Sequence, residues 1–497
     1  MVKRIFRRKI LDHILEEIDI EQHRLNRTLN AFDLTILGIG AIIGVGIFVL
    51  TGVGAGLAGP GVILSFVIAG AACVFAALCY AELASSIPVA GSAYNYAYAS
   101  MGEVIAWIIG WDLILEYVVA SIAVAIGWSG YFVSILKAAG LHLPAWCTGA
   151  PQSASYKWLF CRELGIGPEG WCSGAPETLA GSLINLPALA IVLLLTTILI
   201  IGIKESARFT SLMVFVKIIT VLVFVVVGGT HVTPSNWAPF LPFGFKGVMA
   251  GAAIVFFAYI GFDAVSTAAE ETKNPQRNMP IGIILSLAIC TLLYIAVATV
   301  LTGMVSYTEL NHPAPVAHAL ILKGFRWGSA LVAAGAVAGI TSVLLVMLMG
   351  QPRIFFSMSR DGLLWPWISK VHPRFRTPYV SQTITGLVVA GFAGFIDIGT
   401  AAELCNIGTL FAFTIVCGGV VVLRRTHPDL RRSFRCPLVP LIPLLGMGFC
   451  LGLMLSLPKI TWARFFIWLF TGFAIYFFYG IRHSRMARPA GPGPETA

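Results

Sequence analysis

Polar residues in this chain are confined to short stretches between long apolar runs. Twelve runs approach or exceed the ~20 residues a helix needs to cross the hydrocarbon core. They lie at about 33–56, 61–82, 103–137, 181–201, 207–228, 247–269, 280–304, 328–350, 380–398, 402–423, 438–457 and 462–481. Two of them, the first and the sixth, are interrupted by glycine: Gly38-Ile-Gly-Ala-Ile-Ile-Gly-Val-Gly46-Ile-Phe48 and Phe256-Phe-Ala-Tyr-Ile-Gly261-Phe-Asp263. Polar backbone in lipid must be paired, so a membrane helix unwinds only where it faces protein, water or a ligand. Interruptions at matching places in two halves of a chain point to a transporter's binding site. An offset of five helices is odd, so the second unit enters the membrane from the opposite side. The pattern predicts an all-α polytopic protein with twelve transmembrane helices and a 5+5 inverted repeat. The repeats span about 33–228 and 247–423, with helices 11 and 12 (438–481) outside them.

Composition agrees with lipid as the solvent. Of 497 residues, 58% are hydrophobic and 11% charged, with a mean hydropathy of +0.86, far too apolar for a soluble surface. The membrane domain is expected over 33–482. A polar, basic leader (1–32) precedes it, expected to be retained because the first apolar segment is too long and too deeply placed for a cleavable signal peptide, and a Pro/Gly-rich tail (483–497), expected to be disordered, follows. If the leader is cytosolic, loops on that side hold 24 of the 33 Lys and Arg and the opposite loops hold 8. This bias places both termini in the cytosol. It also accounts for the net charge of +10 without nucleic acid, because the basic residues are scattered among short loops. Tyr94, Tyr96 and Tyr98, between two spans without a Lys or Arg, suggest a helix at the headgroup boundary. Cys147, Cys161 and Cys172 share the longest outer loop, where one disulfide and one thiol are expected and the pairing is open. No ligand spacing suggests a metal or a cofactor.

Several stretches carry a family resemblance. They are Phe32 to Phe48, Tyr80-Ala-Glu-Leu-Ala-Ser-Ser-Ile-Pro-Val-Ala-Gly-Ser-Ala-Tyr94, Gly202-Ile-Lys-Glu-Ser-Ala-Arg208 and the Phe256–Pro280 block with Glu270-Glu-Thr-Lys-Asn-Pro275. Gly350-Gln-Pro-Arg-Ile354, Ser359-Arg-Asp-Gly362 and Phe434-Arg-Cys-Pro437 complete the set. The chain resembles the amino acid–polyamine–organocation superfamily, most closely its bacterial cationic-amino-acid-transporter-like branch. The resemblance covers about Phe32 to Pro458 and implies a LeuT-type fold and amino-acid transport.

The breaks suit a zwitterion. The half-helix starting after the first break exposes backbone N–H groups at Gly44, Val45 and Gly46, a seat for a carboxylate. Carbonyls near Ile42, and around Phe257, Ala258 and Ile260 in the second break, would take the ammonium. The same glycines would also serve plain close packing of helices. Phe257 is either a gate over substrate, as the resemblance implies, or a core aromatic.

Three ionisable residues lie deep in spans, where charge is costly and usually functional. Lys217 stands nine residues past Arg208, about 13 Å along its helix. The resemblance places it where sodium-coupled relatives hold sodium, beside the first and eighth helices. It would couple transport to protons, or act as a permanently charged strut on carbonyls of the first helix. Glu116, with Asp112 one turn away on the same face, and Asp263, directly after the second break, would meet a cation, relay a proton or satisfy a helix end. Met347 falls in the eighth segment, which lines the side-chain pocket in relatives. There it would crowd long side chains such as arginine and favour smaller neutral ones, unless it only packs. Glu82, Glu270, Glu271, Arg353, Arg360 and Asp361 gather at cytosolic helix ends and suggest an inner ion-pair network.

The function expected is secondary active transport of an L-amino acid by alternating access, as proton symport, with ion-independent exchange as the alternative. The partners expected are substrate, H+ and membrane lipids, and the oligomeric state is open. An enzyme would want a nucleophile–base or metal constellation within the spans, yet His231, His312 and His318 all fall in outer loops and no Walker or HExxH pattern occurs. A channel would want a repeated filter or a charged pore ring, and neither is present.

Overall fold

The computed structural model describes residues 28–87, 92–151, 182–202, 207–375, 377–430 and 432–484. Among these the regular structure is helical. The first span is α1 (Ala31–Ile42), a break at Ile43 and Gly44, a widened π turn (Gly46–Leu50) and α2 (Thr51–Ala58). A Gly59-Pro60-Gly61 turn leads to α3 (Val62–Ser86), followed by α4 (Ser92–Ser100), α5 (Glu103–Ala138), α6 (Leu186–Ile201) and α7 (Ala207–Gly229). The sixth span is α8 (Gly244–Val255) and two 3₁₀ segments, Phe256–Tyr259 and Asp263–Glu271. Then come α9 (Pro275–Met304), α10 (Pro315–Leu322), α11 (Arg326–Arg360), α12 (Tyr379–Phe395), α13 (Ile398–Thr426), α14 (Leu441–Leu455) and α15 (Lys459–Ile475). Eight stretches are long and apolar enough to cross a membrane, and α1, α6, α12 and α14 are shorter apolar helices. The stretch Gly46–Ser86 joins the second half of the first span to the second span, so with α1 as the missing half these pieces account for twelve spans.

The packing has the symmetry the topology requires. α3, α5 and α6 each pack on their counterparts α9, α11 and α12. The contact of α7 with α11 is matched by that of α13 with α5. Likewise α1 on α9 and α7 is matched by α8 on α3 and α13. The broken spans are therefore the central, equivalent members of two inverted five-helix units.

The face where residue 28 lies, called the N-face below, is held together by specific bonds. Asn30 caps α1 through Phe32 and Asp33 N–H, while Asp33 returns a bond to Asn30 N–H, a reciprocal box that fixes where the helix starts. The chain just before it pairs with the end of the sixth span: Thr28 and Leu29 N–H donate to Glu271 O, and Lys273 N–H to Leu29 O at 2.8 Å. Both broken spans are thus laced together at this face.

Two expectations for this face are corrected. Tyr94, Tyr96 and Tyr98 are buried rather than at a headgroup boundary, because α4 packs against α5 and α13. Tyr94 and Tyr98 spend their hydroxyls on the carboxylates of Asp361 (2.7 Å) and Glu103 (3.1 Å). Glu82 does not join Arg353 and Arg360. It receives Arg424 Nε and Nη2 at 3.0 and 2.6 Å and Cys436 N–H at 2.7 Å, and Arg432 stands 3.3 Å away. That cluster pins α3 to α13 and to the lead-in of α14. The side chain of Glu270, and Cys161 and Cys172 with their pairing, lie outside the described residues. Removing one partner of a buried ion pair strands the other charges. Glu82→Gln should therefore cost about 2–4 kcal/mol, below the fully buried limit because Arg424 is partly exposed. A thermal-unfolding midpoint in detergent that falls by several degrees would bear this out, and an unchanged midpoint would contradict it.

Candidate substrate site at the two helix breaks

The breaks face each other at van der Waals range, and glycine is what permits it. A Cβ on Gly46 would fall 2.3 Å from Ala258 Cα, and one on Gly261 would fall 2.9 Å from Ala41 O. Gly261 also has φ +117°, a conformation open to glycine and strained for L side chains. Each break thus contributes one glycine seated against the other's backbone.

An account of backbone partners shows what the first break leaves open. At the end of α1, Ile39 O takes Ile43 N–H, Gly40 O takes Lys217 Nζ at 2.6 Å, and Ile42 O has Tyr294 Oη at 2.8 Å. On the other side, no described hydrogen bond takes up the N–H of Gly44, Val45 or Gly46. The ladder resumes with Phe48 N–H on Gly44 O at 3.4 Å and a widened turn from Thr51 N–H to Gly46 O. At the end of α8, just before the second break, Asn406 Nδ2 from α13 lies 2.7 Å from Ala253 O and 3.1 Å from Ile254 O, and in the break Tyr294 Oη lies 2.8 Å from Ala258 O. Open donors therefore stand on one side of a gap, as a carboxylate would want. The carbonyls on the other side are each met by a side-chain or backbone donor that an ammonium would share or replace.

A small enclosed cavity of about 10 Å³ sits at this junction, roughly the least space that holds one water. Ala41, Ile42, Gly44, Val45 and Gly46 line it from the first span, and Phe257 and Ile260 from the sixth. Ala120 and Val124 close it from α5, and Val343 and Met347 from α11. All of these side chains are apolar, so the polar groups offered are backbone ones. A wider cleft of about 600 Å³ runs beside Arg277, Ile281 and Leu285 of α9 to Ser433 and Phe434. It touches neither break, and physical chemistry favours the smaller cavity as the site.

The remaining candidates stand around the cavity rather than in its wall. Ala258 contributes its carbonyl and its contact with Gly46. Asp112 and Glu116 of α5 and Asp263 of the sixth span are all buried; Asp112 faces α13, where a Cβ on Gly408 would meet its Oδ1 at 2.8 Å, and Glu116 O accepts the Cys405 thiol at 3.6 Å. Lys217 is completely buried, and its stem passes α11 where a Cβ on Gly339 would meet Lys217 Cγ at 2.8 Å. Reading the sequence missed Ala41, Ala120, Val124 and Val343 in the wall and the polar supports Tyr294 and Asn406. A lone Tyr and Asn in apolar spans were available signals, since such groups must find partners.

Comparison with known proteins agrees with this architecture. The profile of the family described as amino acid permease matches residues 29–481. The chain is 51% identical over 481 residues to the methylthioribose transporter of Bacillus subtilis, covering 97% of this chain and 98% of that protein. It is 49% identical over 485 residues to a branched-chain amino acid permease of the same organism, covering 97% and 99%. It is 38% identical over 435 residues to the vacuolar cationic amino acid transporter 4 of Arabidopsis thaliana, covering 86% and 68%. With twelve spans, two broken helices in inverted repeats and a profile match across nearly its whole length, this multi-pass membrane protein belongs to the amino acid permease family of the amino acid–polyamine–organocation superfamily.

Proposed function

We propose that this transporter carries a neutral, apolar L-amino acid across the cell membrane by proton-coupled alternating access, with the N-face in the cytosol. The observation that carries the substrate class is the wall of the cavity: Ala120, Val124, Phe257, Ile260, Val343 and Met347 offer only apolar surface to a side chain. Backbone N–H groups at the first break remain for the carboxylate, and the ammonium takes the carbonyls to which Tyr294 Oη points. A methylthioribose-like ligand has several hydroxyls, each of which would want a polar side chain that this wall lacks. A branched-chain amino acid, the cargo named for one relative, meets both requirements.

Residues 33–482 form the transport domain in this reading, with 1–32 and 483–497 as cytosolic appendages. The three-to-one distribution of Lys and Arg between the two faces supports the orientation. Strongly exposed Leu292, Phe470 and Phe478 face lipid. Lys217, reaching from α7 to Gly40 of the first span, is the proton-responsive group, and Glu116 and Asp263 are the carboxyls next to the transport path.

Uptake of labelled leucine into proteoliposomes, with and without an inward pH gradient, tests this directly. Accumulation that requires the gradient supports proton symport. Uptake that requires internal amino acid supports exchange, and flux of methylthioribose without flux of leucine would overturn the substrate class. For the pocket, Met347→Ser should strengthen inhibition by arginine and weaken that by leucine, each by about tenfold, the scale of a few methylenes in an apolar pocket. A competition panel in which neither changes would remove Met347 from the side-chain pocket.

A further inference from the structure

Tyr294 stands on α9 with its ring fixed between Phe66 and Tyr259, whose centroids lie 5.7 and 5.3 Å away. Its hydroxyl oxygen is 2.8 Å from two carbonyl oxygens, Ile42 O at the end of the first half-helix and Ala258 O in the second break. A phenol carries one proton and donates one full hydrogen bond at a time. One side-chain donor thus serves the two carbonyls that face each other across the breaks, beside a cavity of about 10 Å³. Both carbonyls belong to buried residues, and leaving a buried acceptor unmet is costly.

From this geometry we infer that the Tyr294 hydroxyl stands in for the substrate's ammonium in the unloaded carrier, and so lets the empty site close and return across the membrane. A loaded site brings up to three N–H donors of its own and does not need the phenol. An unloaded site needs it, because nothing else described reaches both breaks. The role is one of positioning, and it separates two modes of transport: net uptake includes a step in which the empty carrier closes, whereas exchange closes only with substrate aboard. The inference rests on the reading of the breaks as the amino-acid site.

Tyr294→Phe removes the donor and keeps the ring. Net uptake of leucine into vesicles without internal amino acid should fall by at least about tenfold, the scale of one unmet buried hydrogen bond. Exchange against internal leucine should stay within about threefold of wild type. Saturating leucine should also raise the unfolding temperature of the variant more than that of wild type. Tyr259→Phe is the comparison variant: its hydroxyl ties the 3₁₀ turn of the second break to Phe66 O of α3 and bridges nothing between the two breaks, so it should leave the ratio of net uptake to exchange unchanged. Equal losses in both modes, no loss in either, or a variant that stays unstable in saturating leucine would each overturn the role of Tyr294. Failure of the wild-type protein to exchange leucine at all would instead overturn the reading of the site.

Discussion

Gly46→Ala is expected to cut amino-acid uptake by at least about 100-fold while the protein still inserts in the membrane. The added Cβ would stand 2.3 Å from Ala258 Cα, where ordinary contact begins near 3.4 Å, so the breaks must part by about 1 Å. The neighbour is backbone, held by Tyr294 at its carbonyl and with Asn406 bonding the end of α8, and it has no rotamer to yield. Displacements of about 1 Å in a substrate-orienting frame cost about 10²-fold. Gly418→Ala, where nothing lies within 4 Å of the new carbon, is the matched control and should be neutral or slightly stabilising, as alanine favours helix by up to ~1 kcal/mol over glycine. Normal uptake by the Gly46 variant would mean that the breaks do not need to touch for transport.

The second large effect is expected at Lys217, and two substitutions together separate its two readings. The ammonium is wholly buried and bonded to Gly40 O at 2.6 Å, so Lys217→Met strands a carbonyl of α1 and should remove most transport, since an unmet buried acceptor costs about 1–3 kcal/mol. Lys217→Gln keeps a donor for that carbonyl but cannot change charge. Under proton coupling, the glutamine variant recovers exchange, while accumulation driven by a pH gradient remains at background. Under the strut reading, it recovers both. Measuring counterflow and gradient-driven uptake on the same vesicles decides between them.

How much was legible beforehand follows from how each feature is encoded. Glycine is a strong signal because its uses are few, and the first half-helix does end at Ile42 with the break at Ile43 and Gly44. The spans were equally legible, because lipid demands their length and composition. Met347 and Phe257 were placed by resemblance, and both line the cavity. Their neighbours were not found: Ala120, Val124 and Val343 are ordinary small apolar residues that become a wall only when two repeats close around them. Val343 lies one helical turn before Met347 and could have been paired with it. The tyrosines of α4 misled because aromatic residues near a span end suggest an interface, whereas here α4 packs against α5 and α13 and carboxylates meet the hydroxyls of Tyr94 and Tyr98. Glu82 misled for a related reason, since charges at helix ends do not say which of several arginines they will meet. Asp263 follows the break in sequence, yet it opens the second 3₁₀ segment and is not among the residues that line the cavity.

The most direct test is a structure of the protein with leucine bound. The carboxylate should lie within hydrogen-bond distance of the N–H groups of Gly44, Val45 or Gly46, and the ammonium on carbonyls of the opposing half-helices, with the side chain against Val343 and Met347. Leucine bound away from the breaks, or a first span that runs as continuous helix through Gly44 with substrate present, would contradict the site.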